Sequence, residues 1–148
     1  MDKKILIVIL GFVFLIGCAG KTPKLGLNND QLVPCPKTPN CVSSQITDEK
    51  HFIEPIYFIG SRQETQVQLV QILKTLQRTN IIDMQNNYIR VEFTSKILKF
   101  IDDVEFYFPA TKTETTTIYF RSASRLGYSD LGVNRKRIEK IRQKFGAY

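Results

Sequence analysis

The chain has 148 residues, 43% hydrophobic and 11% aromatic, with ten Phe and six Tyr. That is enough apolar surface to close a core and excludes a wholly disordered polypeptide. The formal net charge is +7, and eight basic residues between Arg121 and Lys144, set against Asp130 and Glu139, concentrate it in the C-terminal stretch. Such a patch suits anionic headgroups, acidic glycans or nucleic acid, or is a solvated helix face.

Lys3 and Lys4 precede an unbroken apolar run from Ile5 to Ile16, and the run ends in Leu15-Ile16-Gly17-Cys18. The charged and apolar regions read as a secretory signal, and the last four residues as a lipobox whose cysteine the bacterial export machinery acylates. A transmembrane helix needs about 20 apolar residues, more than this run supplies. A buried core helix would be amphipathic, and this run is apolar on every side. The expected organisation is a signal peptide over 1–17, a flexible tether over 18–33 and a single α+β domain over 34–148. The expected location is the bacterial envelope, lipid-anchored at Cys18 and facing the periplasm. Ala19 rather than Asp after the cysteine points to the outer membrane. Export disfavours nucleic acid as a partner.

Once Cys18 is acylated, Cys35 and Cys41 remain as an even pair in an oxidising compartment and are expected to form a disulfide. Closing so short a loop contributes about 2–2.5 kcal/mol on the chain-entropy model. The rival, a zinc site of Cys35, Cys41 and His51, is disfavoured because five intervening residues exceed the usual two to four and His51 is the chain's one histidine. No metal and no cofactor are expected.

From Ala19 to about Val33 the composition is that of a tether, and Pro34 to Cys41 carries three prolines, which impose an irregular, stiff loop. His51–Ile59 reads as a first strand interrupted by Pro55. Ser61 and Glu64 form a capping box, and Val67, Val70, Leu73 and Leu76, with Leu69 and Ile72, give a helical stripe through Arg78. Ile81–Met84, a turn at Asn86-Asn87, and alternating Ile89, Val91 and Phe93 predict a hairpin. Phe100, Val104, Phe106 and Phe108 share one face of the next strand, with Asp103, Glu105 and Tyr107 opposite; Thr115–Ser122 completes the meander. After a loop over Arg125–Val133, Asp130 or Asn134 caps a last helix that buries Ile138, Ile141 and Phe145. The predicted fold is α+β, a mainly antiparallel four- to five-stranded sheet with two helices packed on one face.

The stretch from Arg121 to Arg135 is dense in polar residues for a strand-to-helix connection. Arg121, Ser122, Ser124, Arg125, Asp130, Asn134 and Arg135 together offer planar guanidinium forks, neutral donors and a helix start, which suit a polar or anionic ligand or an envelope protein partner. Equally, Arg121 and Arg125 serve as struts to Asp102, Asp103 or Asp130. Against this binding reading stand a hydrolase using His51, Asp102 and Asp103, and a purely structural envelope protein. Asp102 and Asp103 are neighbours on a strand and point to opposite faces, so they do not form a carboxylate pair on one substrate. No phosphate loop, zinc-protease helix or nucleophile elbow is present.

Three blocks carry a family resemblance: Cys35-Pro36 with Pro39-Asn40-Cys41-Val42-Ser43-Ser44; Phe100-Ile101-Asp102-Asp103-Val104-Glu105-Phe106; and Arg121-Ser122-Ala123-Ser124-Arg125 with Ser129-Asp130-Leu131-Gly132-Val133-Asn134-Arg135-Lys136-Arg137-Ile138. Over nearly the whole mature chain they resemble an uncharacterised family, domain of unknown function 1499. The resemblance implies exported bacterial lipoproteins and organelle-associated proteins, and no established activity.

Overall fold

The computed structural model describes residues 20–146; the expected signal peptide over 1–17 and Cys18 lie outside them. Eight elements follow in order: β1 (Cys41–Ser43), β2 (Ile56–Ile59), α1 (Arg62–Lys74), β3 (Thr79–Gln85), β4 (Tyr88–Thr94), β5 (Ile101–Tyr107), β6 (Thr115–Ser124) and α2 (Val133–Phe145). The six strands form one antiparallel sheet in the order β1-β6-β5-β4-β3. On its outer edge β6 pairs with β1 over 121–123 and with β2 over 115–118. The α+β sheet with two helices is the predicted class, with one strand more than expected.

Strand alternation decides the two faces of the sheet. Ile89, Val91, Phe93, Val104, Phe106, Ile118 and Phe120 pack in one cluster with Leu69, Ile72 and Leu73 of α1 and Ile138, Ile141 and Phe145 of α2. Each such large side chain, fully buried, contributes about 1.5–3 kcal/mol, which makes this layer the main source of stability. The opposite face carries Tyr88, Arg90, Glu92, Asp103, Glu105, Tyr107, Tyr119 and Arg121.

The capping box forms as its pattern requires: Ser61 Oγ accepts from Glu64 N, and Glu64 Oε2 accepts from Ser61 N at 2.7 Å. The helix stops at Lys74, short of Arg78, because Thr75 turns its N–H and hydroxyl onto the Ile72 carbonyl and Arg78 takes a left-handed φ of 56°. The hairpin turns at Asn86-Asn87 as expected, with Gln85 opposite Tyr88. Pro55 delays the first predicted strand to Ile56. The Pro-rich loop, read as wholly irregular, ends in the short strand β1. Gly132 is the N-cap of α2, but Asp130 still supplies the capping acceptor, taking Gly132 N at 3.0 Å and Asn134 N at 2.7 Å.

Residues 20–32, read from composition as tether, contain only an isolated bridge between Asn28 and Gln31 and run over the polar face of the sheet. Leu32 is buried with Tyr88 and Tyr107, and Leu27 and Tyr119 pack against them. At the start of this strap, Gly20 (φ 68°) lies so close to the chain that a Cβ there would meet Arg125 Cβ and Leu126 Cγ at 3.0 Å.

Candidate functional site

On the strap side of the sheet, facing strands set acids against bases. Glu105 pairs in register with Arg90 on one side and Arg121 on the other, while Asp103 lies directly opposite Glu92. Adjacent like charges of that kind repel. Arg125 relieves them: its Nε donates to Asp103 Oδ2 at 2.7 Å, one terminal nitrogen donates to Oδ1 at 2.9 Å, and the same nitrogen reaches Glu92. Arg90 donates to Asp103 Oδ1 at 2.8 Å. Burial pushes the Asp103 carboxyl up, but the Arg125 and Arg90 hydrogen bonds outweigh it and keep the group below the ordinary carboxylate range. The Arg125 guanidinium is shifted up by its bonds to Asp103.

Glu105 is 0% exposed. Its Oε1 accepts from Tyr88 Oη at 2.7 Å and from Gly26 N, in the strap, at 2.8 Å. Its Oε2 has only a terminal nitrogen of Arg121 at 3.6 Å, beyond good hydrogen-bond length. Burial therefore dominates both partners, raising the Glu105 carboxyl and lowering the Arg121 guanidinium. Tyr88 is likewise raised by burial beside Glu105.

The predicted cluster divides between the two faces. Arg121 and Arg125 lie on the strap side; Ser122, Ser124 and Asn134 lie on the helix side. Asn134, also 0% exposed, accepts from Ser122 Oγ at 2.5 Å and Arg137 at 2.6 Å. Its amide nitrogen donates to Asn40 O at 3.2 Å, Ser124 Oγ at 3.0 Å and Asp130 Oδ2 at 2.8 Å. One side chain thus ties the chain before β1 to β6, the loop and α2. Arg135 points elsewhere, donating to Lys50 O at 3.1 Å.

His51, Asp102 and Asp103 have separate partners. His51 is buried, with Nδ1 2.5 Å from Asp48 Oδ2 and Nε2 3.1 Å from Thr38 O. It braces the loop closed by the Cys35–Cys41 disulfide, whose Cα atoms are 5.7 Å apart. That bond leaves neither sulfur as a zinc thiolate. Asp102 pairs with Arg137 at 2.5 Å on the helix side, whereas Asp103 is held by Arg90 and Arg125 across the sheet. Ser122 and Ser124 are bonded into the Asn134 hub, and among the described residues neither has a histidine or carboxylate base as partner.

A cleft of about 600 Å³ opens between the end of α1 and the start of α2. Arg78, Lys136, Arg137 and Lys140 line it, with Asp102 its one carboxylate. Arg137 neutralises Asp102 and lies 4.6 Å above the Phe93 ring. Among the described residues Arg78, Lys136 and Lys140 have no carboxylate partner, and the Thr94 and Ser95 hydroxyls stand beside them. This site escaped sequence reasoning because it joins residues 75–78 to 133–140. Its local signs were the concentration of basic residues between Arg121 and Lys144 and the spacing of Lys136 and Lys140, which puts both on one helix face.

The architecture is thus a disulfide-clasped α+β domain with a charged network under an N-terminal strap and a basic cleft between its helices. Residues 31–145 match the family model described as Protein of unknown function (DUF1499), and the chain belongs to that family. No curated protein matches the sequence.

Proposed function

We propose that this chain is a lipid-anchored protein of the bacterial cell envelope, acylated at Cys18, whose domain binds an anionic ligand without catalysis. The lipobox and the signal-like residues before it support the anchor, and a disulfide suits an oxidising compartment. The observation that carries the binding reading is the basic cleft between α1 and α2, where three cations lack carboxylate partners among the described residues while the cleft's one carboxylate is already neutralised by Arg137. Arg121 and Arg125, the arginines that made the loop over 121–135 attractive as a binding site, are occupied by Glu105, Asp103 and Glu92. A ligand therefore meets that stretch at its far end, where α2 begins, and Arg121 and Arg125 serve as struts.

The anchor is tested by fractionating cells that express Cys18→Ser. Membrane-bound, signal-cleaved Cys18→Ser protein would sink the lipoprotein reading. Binding is tested by native mass spectrometry of protein purified from its own envelope. A retained acidic small molecule is expected, lost from a Lys136→Ala/Lys140→Ala variant with an unchanged melting temperature. Equal retention by that variant would remove the cleft from consideration.

A further inference from the structure

Three structural features converge on one end of the domain. β4 ends there at Thr94, β5 begins at Ile101 and β6 ends at Ser124, and Arg125 N donates to Ile101 O at 3.0 Å, joining the loops over 95–100 and 125–132. Ile97, Leu98 and Phe100 on the first loop and Leu126, Tyr128 and Leu131 on the second are exposed, Tyr128 by 73% and Leu131 by 86%. These six are half of the twelve exposed large apolar side chains among the described residues; the others are Val133 at the start of α2 and five scattered over β2, α1 and β3. A concentration of this kind marks an interaction surface.

Charge is the second feature. The basic cleft opens at the same end, since Thr94 N donates to Arg78 O at 2.9 Å and Lys136 lies in the first turn of α2. Exposed Lys96 and Lys99 flank the apolar tips. Neither has a carboxylate partner among the described residues, so this end combines cations with exposed apolar side chains. That combination matches an anionic bilayer surface, where the rings and alkyl groups enter the interface and ammonium groups meet phosphates.

The third feature is where the chain enters. Gly20 lies against Arg125 and Leu126, and two residues of chain span at most about 7 Å. Anything attached at Cys18 therefore starts at this end.

We propose that the end of the domain formed by the loops over 95–100 and 125–132 lies on the bilayer that holds Cys18, with its apolar tips in the interface and the α1–α2 cleft on anionic phospholipid headgroups. This inference rests on the lipid-anchor reading and names the ligand class of the proposed cleft. The strap, fixed to the sheet through Gly26 and Leu32, sets the orientation by bringing the chain in beside the tips.

The chain contains no tryptophan, so a single introduced one reports its own surroundings. The mature acylated protein is reconstituted into phosphatidylglycerol vesicles containing brominated acyl chains, as Tyr128→Trp, Leu98→Trp or Tyr57→Trp. Tyr57 pairs with Thr117, seven residues of β6 from Ser124 and so roughly 23 Å from the tips. Emission from Tyr128→Trp and Leu98→Trp is expected to shift to the blue and to be quenched several-fold more than that from Tyr57→Trp. Adding Lys96→Glu and Lys136→Glu, or replacing phosphatidylglycerol by phosphatidylcholine, is expected to reduce that quenching. Equal quenching at all three positions in acylated protein overturns the inference and leaves the anchor standing. A blue shift without bromolipid quenching means that a second copy or another protein covers the tips, and also overturns it. Intact mass reads the anchor separately: an unacylated Cys18 overturns the lipoprotein reading, and this inference with it.

Discussion

Arg125 grips Asp103 with two parallel hydrogen bonds, Nε to Oδ2 at 2.7 Å and a terminal nitrogen to Oδ1 at 2.9 Å, and the carboxylate it holds is 1% exposed. The pair crosses from the end of β6 to β5, and Arg125 continues to Glu92 on β4. A single guanidinium therefore offsets two facing carboxylates on neighbouring strands. Replacing such an ion pair by apolar residues is often neutral, but removing one partner leaves a buried charge uncompensated.

Arg125→Ala is accordingly expected to lower stability by about 3–5 kcal/mol. For a domain of this size that corresponds to a fall in Tm of roughly 10 °C or more. Arg125→Ala combined with Asp103→Asn should recover part of the loss. Calorimetric scans of the single and double variants check this, and a single variant within 1 °C of wild type would refute the strut role.

The two buried acids should contribute opposite pH dependences. Asp103 has a lowered carboxyl in the folded state, so its contribution is present above its unfolded value of about 3.9 and is lost as pH falls through the lower folded value. Glu105 has a raised one, so its contribution is present below about 4.3 and is lost as pH rises through the folded value. In urea titrations across the acid range, the stability difference between wild type and Asp103→Asn should grow with rising pH. That between wild type and Glu105→Gln should shrink. Slopes of the same sign would contradict the assignment.

Reducing the Cys35–Cys41 bond, or replacing both residues with serine, should cost about 2–2.5 kcal/mol, the entropy of a short closed loop. The loss is local in origin: β1 has three residues, and its edge pairing to β6 depends on the clasp. Amide exchange of Val42 and Ser43 should accelerate on reduction more than that of β4 or β5. Uniform acceleration across the sheet would assign the bond a global role instead.

Asn134→Ala removes a side chain with five hydrogen-bond partners: the Ser122 hydroxyl and Arg137 lose an acceptor, and the Asn40 carbonyl keeps only the Ser124 N–H. A loss of about 2–3 kcal/mol is expected from the desolvated groups left unpaired. Asn134→Asp should be no milder, since a carboxylate there would face Asp130, which now accepts from the Asn134 amide at 2.8 Å. Denaturant midpoints order the variants, and an Asp variant more stable than the Ala variant would argue against the hub.

Patterns with a short period were legible in the amino-acid sequence. Helix α1, with its Ser61–Glu64 box, the hairpin turning at Asn86-Asn87, the alternating faces of β4 to β6 and the buried stripe of α2 all follow from spacings of two or three to four residues. The pair Cys35 and Cys41 was legible too, because a lipobox that claims Cys18 leaves an even pair in an oxidising compartment. The acids at 103 and 105 and the bases at 90 and 121 were visible as polar positions of alternating strands, but not as partners. Register decides whether Glu105 meets Arg121, and register is a property of pairing between strands remote in sequence. Alternation set Asp102 and Asp103 on opposite faces, but tertiary structure alone gave them their partners, Arg137 and Arg125, and turned a stretch with the composition of a tether into a strap over buried charge. It also assembled a basic cleft from residues some sixty positions apart. Periodicity reports which face a side chain takes on its own element, whereas long-range packing decides what that face meets.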